Sequence, residues 1–435
     1  MRPVRSPLPV RPPHAHRAPL PRDTHRRLTK MADRVTVIGW DGSPLTEAAR
    51  SALGAATLVA GAAHHLALPE VPREAERIRL GSVHLAARRI ALHRGSAVVL
   101  ADGDPGFFGV VRALRAGEHG LEVEVVPAVS AVASAFARAG MPWEDAEIVV
   151  AHPRTLRRAV NVCRAHPKVA VLTSPGAGPA ELGLLLEGVH RTFVICEELG
   201  TARERITVVT SDRAADHAWR DPNVVIVIGG NATAGGTDNG WIAGRDPAGP
   251  VRGWALPARE YGAGTPLEGE SRELRAAQLA RLGPRTGDLV WDIGSGTGAF
   301  AAEAARFGAA VLAVDADPDA CARTTASARR FGVRVQVVHG GAPHILEDLP
   351  EPDVVRVGGG GEPVVSAVAD RRPAAIVTHA GTRDEAELLG RTLAEHGYAV
   401  ECALLQSVAL DVGEWTETER TVVFLLSAHR PDRAP

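Results

Sequence analysis

Cysteine, aromatic side chains, net charge and long apolar runs are all scarce in this chain of 435 residues. No uninterrupted apolar stretch reaches the ~20 residues that a bilayer-spanning helix needs, so no membrane span and no membrane partner are expected. The four cysteines, Cys163, Cys196, Cys321 and Cys402, are scattered without a CxxC pair. That argues against a disulfide framework and against a thiolate metal site, and it fits a reducing, cytoplasmic location. No metal is expected. The formal net charge is −2, too small for a general polyanion-attracting field, so nucleic acid is not an expected partner. Aromatic residues make up 4%, while Ala, Gly and Arg abound, a bias that carries no functional reading.

What remains is an ordinary globular balance, 45% hydrophobic and 23% charged, in a chain long enough for two or three domains. Residues 1–33 stand apart. The first thirty hold eight Arg or Lys, seven prolines and one acid, without apolar periodicity, so a disordered basic tail is expected, and Met31 offers an alternative start. A targeting reading fails for want of an apolar core segment. Residues 231–253 are rich in glycine and read as a linker between two folding units, 34–230 and 254–430.

From Arg34 the pattern alternates. Short apolar strands are expected at 35–39, 57–61, 97–102, 122–127, 147–152, 168–174, 192–197, 206–210 and 224–230, with helices between them at 45–53, 83–93 and 131–139. Such alternation predicts an α/β domain with a largely parallel sheet, whose ligands sit at the carboxyl ends of strands. Three strand-end loops stand out. The first follows Gly39. The second is Asp102-Gly103-Asp104-Pro105-Gly106-Phe107-Phe108-Gly109, whose glycines permit close backbone approach and whose acids can bind an ammonium or hydroxyls. The third is Pro127-Ala128-Val129-Ser130-Ala131, in which Ser130 reads first as a helix N-cap.

In the second half, helix 270–282 precedes seven expected strands, at 288–293, 310–314, 333–339, 354–357, 374–379, 399–406 and 421–427. The stretch Val290-Trp291-Asp292-Ile293-Gly294-Ser295-Gly296-Thr297-Gly298-Ala299-Phe300 reads as a strand, a tight glycine turn and a helix N-terminus, where turn amides favour a polar or anionic group. Asp315 ends the next apolar run at the spacing of a carboxylate that binds a ribose diol. Gly294-x-Gly296-x-x-Ala299 also satisfies the dinucleotide fingerprint, so a nicotinamide oxidoreductase is a rival. Asp292 tilts the choice: an acid just before the glycines repels a pyrophosphate but can hold a cationic methionine moiety, which favours S-adenosylmethionine.

The three loops of the first half, with Gly140-Met141-Pro142-Trp143 and Glu197-Glu198-Leu199-Gly200-Thr201-x-Arg203-Glu204-Arg205-Ile206, resemble a tetrapyrrole methylase over residues 34–230. The second half resembles the Rossmann-like, C15-methylating and decarboxylating domain of cobalamin biosynthesis through Trp291–Gly298, Asp315, His339-Gly340-Gly341-Ala342-Pro343 and the glycines that follow Val357. Together the resemblances imply an α/β protein, a two-lobed tetrapyrrole methylase domain followed by a seven-stranded Rossmann-like methyltransferase domain. They imply one S-adenosylmethionine per domain, a corrinoid small-molecule substrate, methylation at C5 and C15, and loss of CO2 from the C12 acetate. Gly39, Asp104, Phe107, Ser130 and Ala131 would line the first cofactor site. Asp292, Gly294, Ser295, Gly296, Thr297, Gly298, Asp315, Gly341 and Ala342 would line the second. Arg356 and Gly359 are substrate candidates; Arg356 would either meet a substrate carboxylate or snorkel to an exposed edge. His339, His344 and His379 lie near strand ends without an assigned role. Catalysis needs positioning more than acid–base groups, so no catalytic residue is expected. Association into a homo-oligomer is compatible with both resemblances. Departures from the second family's pattern at 267–271, Gly341 and 419–422 keep open a second domain that only binds cofactor, and an RNA methyltransferase is a further rival.

Overall fold

The computed structural model describes residues 34–229, 243, 253–261 and 271–431. The expected tail, most of the linker and residues 267–270 lie outside them. The chain divides into two compact units. The first consists mainly of Leu45–Ala101 and Gly109–Val126 with the start of the chain up to Ile38, and the second of the two loops Gly39–Pro44 and Asp102–Phe108 with everything from Pro127 on.

The first five strands are β1 (Arg34–Trp40), β2 (Leu58–Gly61), β3 (Glu76–Arg79), β4 (Ala97–Asp102) and β5 (Glu122–Val126). They form one sheet in the order β3-β2-β4-β1-β5, with parallel ladders β1–β5, β2–β3 and β2–β4. Val35, Val37, Leu58, Ala60, Ala97 and Val99 are buried under the helix Val83–Leu92, whose Ala86, Ala87 and Ile90 face them. Strand β3 escapes the sequence because Glu-Arg-Ile-Arg has only one apolar residue; it is an exposed edge that needs none.

The next five strands, β6 (Glu147–Val150), β7 (Lys168–Leu172), β8 (Thr192–Glu197), β9 (Arg205–Thr210) and β10 (Asn223–Ile228), form a second sheet in the order β6-β7-β10-β8-β9. Only β6–β7 is parallel; the other three ladders are antiparallel. This corrects the expectation of a largely parallel sheet throughout. The connection from β8 to β9 is too short for a parallel crossover, so it must be a hairpin.

The third sheet is formed by β11 (Leu289–Ile293), β12 (Ala310–Asp315), β13 (Gln336–His339), β14 (Val354–Val357), β15 (Ala375–Ala380), β16 (Ala399–Leu410) and β17 (Glu417–His429), in the order β13-β12-β11-β14-β15-β17-β16. The first five are parallel and the last two pair antiparallel. Both faces of its centre are buried, which explains the unbroken apolar runs. Leu289, Trp291 and Ile293 enter one core with Leu312, Val355 and Ile376; Val290 enters the other with Val311, Val354 and Val377. Asp292 is therefore on the Val290 face.

Two clamps fasten segments onto this sheet. Glu303, fully buried in the helix Ala299–Arg306, accepts hydrogen bonds from Ala255 N (2.8 Å), Leu256 N (3.1 Å) and the Tyr261 hydroxyl. Burial pushes its carboxyl up, and the two amides pull it back in part. In the helix Leu156–Ala165, buried Asn161 donates to Gly287 O (3.0 Å) and Asp353 Oδ2 (3.2 Å), while Arg157 pairs with Asp353 at 3.2 Å. Among the described residues no helix is long and apolar enough to cross a membrane.

Candidate active sites

The first site is built from glycines that leave no room for a side chain. A Cβ on Gly39 would lie 2.3 Å from Gly103 O and 2.9 Å from Ala128 N. One on Gly103, whose φ is +61°, would lie 2.8 Å from Ala131 N. The loops after β1, β4 and β5 therefore touch through bare backbone, and Gly103 N donates to Trp40 O at 2.7 Å. The expected residues Gly39, Asp104, Phe107, Ser130 and Ala131 all lie on these three loops or at the helix start that follows. Ser130 is an N-cap: its hydroxyl accepts from Ala133 N at 3.1 Å. Half-buried Asp104 accepts from Gly106 N at 2.8 Å, which shapes its own turn. Phe107 packs against the core around Phe136 and meets Phe108 edge-on, with ring centroids 4.7 Å apart.

Sequence reasoning passed over Asp41. Its carboxylate accepts from Ser43 N (3.0 Å), from the Ser43 hydroxyl and from Val129 N (3.2 Å), so it ties the first loop to the third. Burial alone would raise this carboxyl; the bonds from Ser43 and Val129 outweigh it and hold it below its ordinary value. The acid between Trp40 and Gly42 at a strand end was the available signal. The Glu197–Glu198 block buttresses the same loop. A Cβ on Gly200 would lie 1.9 Å from Asp41 O, and Gly200 N donates to Glu204 Oε2 at 2.8 Å. Arg138 holds that glutamate at 2.6 Å, and Arg220 pairs with buried Glu197 and Glu198 at 3.3 and 2.9 Å.

At the second site the strand ends supply neighbours in register: Asp315 beside His339, and Ile293 beside Val357. Gly294, Gly296 and Gly298 have φ of +73°, +56° and +74°, a region that favours glycine. A Cβ on Gly298 would lie 2.4 Å from Thr324 Cα. Gly294 N donates to Val314 O at 2.8 Å. Half-buried Asp315 accepts from Gly296 N at 2.9 Å and from Asp317 N at 3.0 Å, so it holds the glycine turn against the end of β12. Gly341 and Gly359 border open space, and Ala342 follows half-buried.

Four of the expected side chains are turned into the protein. Asp292 is fully buried and accepts from Arg356 Nη1 at 2.8 Å, so its charge is paired inside the protein. Arg356 does not snorkel to an exposed edge. It is 4% exposed, donates also to Gly294 O at 2.8 Å, and lies over the Phe300 ring at 5.5 Å. Ser295 and Thr297 are buried, and the Ser295 hydroxyl bonds with that of Thr324 at 3.0 Å, so these side chains point inward and the turn offers backbone alone. The pair Asp292–Arg356 stiffens the strand ends beneath the turn.

Beside it a cavity of about 140 Å³ is lined by the glycines 358–361, Thr378, His379 and Glu385. Burial first, and the Arg356 charge second, push the His379 imidazole down to about 4, so the ring is neutral near pH 7. His379 Nδ1 is buried without a hydrogen-bond partner among the described residues. His339 Nε2 instead lies 3.1 Å from Ala316 O.

Known proteins resemble the chain in two pieces and as a whole. The family described as tetrapyrrole (corrin/porphyrin) methylases matches residues 39–215, and the precorrin methyltransferase domain family matches residues 270–424. The precorrin-6Y C(5,15)-methyltransferase (decarboxylating) of Sinorhizobium sp is 35% identical over 337 residues, 74% of this chain and 77% of that protein. The protein of the same name from Mycobacterium tuberculosis is 31% identical over 338 residues, 75% of this chain and 80% of its own. The cobalt-precorrin-7 C(5)-methyltransferase of Salmonella typhimurium is 36% identical over 191 residues, 42% of this chain and 92% of that enzyme. With 35% identity over about three quarters of both partners, and family matches at residues 39–215 and 270–424, the chain belongs to the precorrin-6Y C(5,15)-methyltransferase (decarboxylating) family.

Proposed function

We propose that this chain methylates the corrinoid precorrin-6Y (precorrin-6B) at C5 and C15, with S-adenosylmethionine as methyl donor, and releases CO2 from the C12 acetate in cobalamin biosynthesis. The observation that carries this reading is the presence, in one chain, of two separate glycine-built strand-end sites, each inside a stretch that matches a different methyltransferase family. Residues 34–230 form the two-lobed methylase that acts at C5. Residues 254–430, with the seven-stranded Rossmann-like sheet, act at C15 and on the acetate. One S-adenosylmethionine belongs to each domain. The reaction is cytoplasmic and involves neither membrane nor nucleic acid. Exposed Leu404, Leu410, Val412, Trp415 and Val422 give the β16–β17 hairpin the apolar surface that a homo-oligomer would bury.

The residues fit such a cofactor. At both sites the glycines let neighbouring loops close on one another through bare backbone, which leaves main-chain amides at the strand ends for a ligand. At the second, Asp315 stands at the end of β12 with its carboxylate half-exposed, suited to a ribose diol, and Gly341 and Gly359 leave space beside it. Bound there, S-adenosylmethionine supplies an already activated, electrophilic methyl group. The chain's part is to hold the nucleophilic ring carbon in line with it and to exclude water. Main-chain amides of the glycine turns and the acids Asp104 and Asp315 orient; none of them has to move a proton. On loss of CO2 the electron pair passes to the adjacent pyrrole and then takes up a proton from solvent at the former acetate carbon, which becomes a methyl group, so the decarboxylation also asks for placement.

Cofactor titration by calorimetry tests this. The wild type is expected to bind two S-adenosylmethionine per chain, and Asp315→Ala one, or a second at least roughly tenfold weaker for loss of a charge-assisted bond. Unchanged second-site affinity in the variant refutes the ribose assignment.

A further inference from the structure

Three arginines at the opposite ends of the third sheet's strands, Arg191 buried and Arg164 and Arg334 half-buried, have no part in either cofactor site. Arg164, at the end of the helix Leu156–Ala165, donates to Leu185 O at 2.6 Å and to Gln336 Oε1 at 3.3 Å. Arg191, 6% exposed, donates to Cys163 O at 2.9 Å, Arg164 O at 2.8 Å and His190 O at 3.0 Å. Arg334 donates to Gly229 O. These carbonyl bonds fix the guanidinium groups in place but do not neutralise them. Among the described residues none of the three has a carboxylate within ion-pair distance. Burial lowers all three, and for Arg191 the positive charges of Arg334 and Arg164 add to burial and bring it to about 10.

All three line a cavity of about 360 Å³ whose floor is apolar, from Leu289, Ala310 and Val311 at the starts of β11 and β12. The glycine turn lies at the other ends of the same strands, about 15 Å away at ~3.3 Å per residue. The cavity is thus separate from that site. Fixed, uncompensated positive charge over a low-dielectric floor attracts anions strongly. The planar guanidinium fork suits oxyanions in particular.

We propose that this cavity is an oxyanion site, for a phosphate or a carboxylate borne on a small molecule. The ligand bridges Arg164 and Arg191, around the second sheet, to Arg334 before β13, and so fastens the two together. The inference does not depend on the methyl-transfer reading.

The test compares the melting temperature of the full chain in inorganic phosphate, in tricarballylate and in sodium chloride at matched ionic strength, with calorimetry for affinity. A saturable rise beyond chloride is expected with at least one oxyanion. The larger of the two shifts assigns the ligand to the phosphate or the carboxylate class. Gln336→Glu provides the discriminating variant, because it sets a carboxylate at the position where Gln336 now meets Arg164 with little change of shape. It should weaken oxyanion binding by roughly tenfold or more and abolish the oxyanion-dependent rise. If neither oxyanion exceeds chloride in the wild type, or if the rise survives in Gln336→Glu, the proposal is overturned.

Discussion

Arg356→Ala should destabilise the chain by about 3–5 kcal/mol, among the largest effects of any single substitution in the second site. The reason lies in what is left behind. Asp292 is fully buried, and its Oδ1 is 2.8 Å from the Arg356 guanidinium. Truncating the arginine strands a carboxylate in the core, removes the bond to Gly294 O and empties the space over Phe300. A buried ion pair as a whole contributes little against an apolar replacement, because both charges had to leave water. The double variant Arg356→Met with Asp292→Leu should therefore recover most of the stability lost by Arg356→Ala. Denaturant midpoints of the three proteins decide the matter. A loss below about 1 kcal/mol in the single variant would mean that the pair is not shielded from solvent.

Gly298→Ala should destabilise the second half and remove cofactor binding there, with the first site unaffected. Two costs add. At φ +74° an L-residue costs about 1–2 kcal/mol. The new methyl would sit 2.4 Å from Thr324 Cα, a backbone atom of the helix Pro318–Arg330 that cannot swing aside, and overpacking of this kind costs about 1–3 kcal/mol. Gly359→Ala is the matched control. Its Cβ meets nothing within 4 Å, so stability should change by less than about 0.5 kcal/mol. Any loss of ligand affinity in Gly359→Ala then reports on the ligand, whereas the loss in Gly298→Ala reports on the turn. Equal stability in the two variants, read from thermal melts, would contradict the close approach at Gly298.

Much of this was legible in the sequence where it is local. The strand–turn–helix around Gly294–Ser295–Gly296 is written in consecutive residues, and so are β4, β8 and β14, whose apolar runs mark their own ends. The convergence of Gly39, Asp104 and Ser130 could be inferred because all three follow strands. What could not be read was lateral. Asp292 and Arg356 are partners because β11 and β14 are adjacent, in a register that places those two residues side by side on one face. Nothing in either strand states that adjacency, so an acid before a glycine turn read as a ligand contact, and an arginine in an apolar strand read as meeting a substrate carboxylate or snorkelling to an edge. The antiparallel second sheet was missed for a related reason: alternation of strands with helices gives their number but not the direction in which β10 enters between β7 and β8. Asp41 was overlooked because its role depends on Val129, 88 residues away.

Both halves having chemistry of their own is the central claim, and product mass tests it most directly. Precorrin-6Y incubated with the full chain and isotope-labelled S-adenosylmethionine should give a product that has gained two labelled methyl groups and lost one CO2. A single methyl gain without loss of CO2 would contradict the account by confining activity to the first half, and an unchanged mass would contradict it altogether.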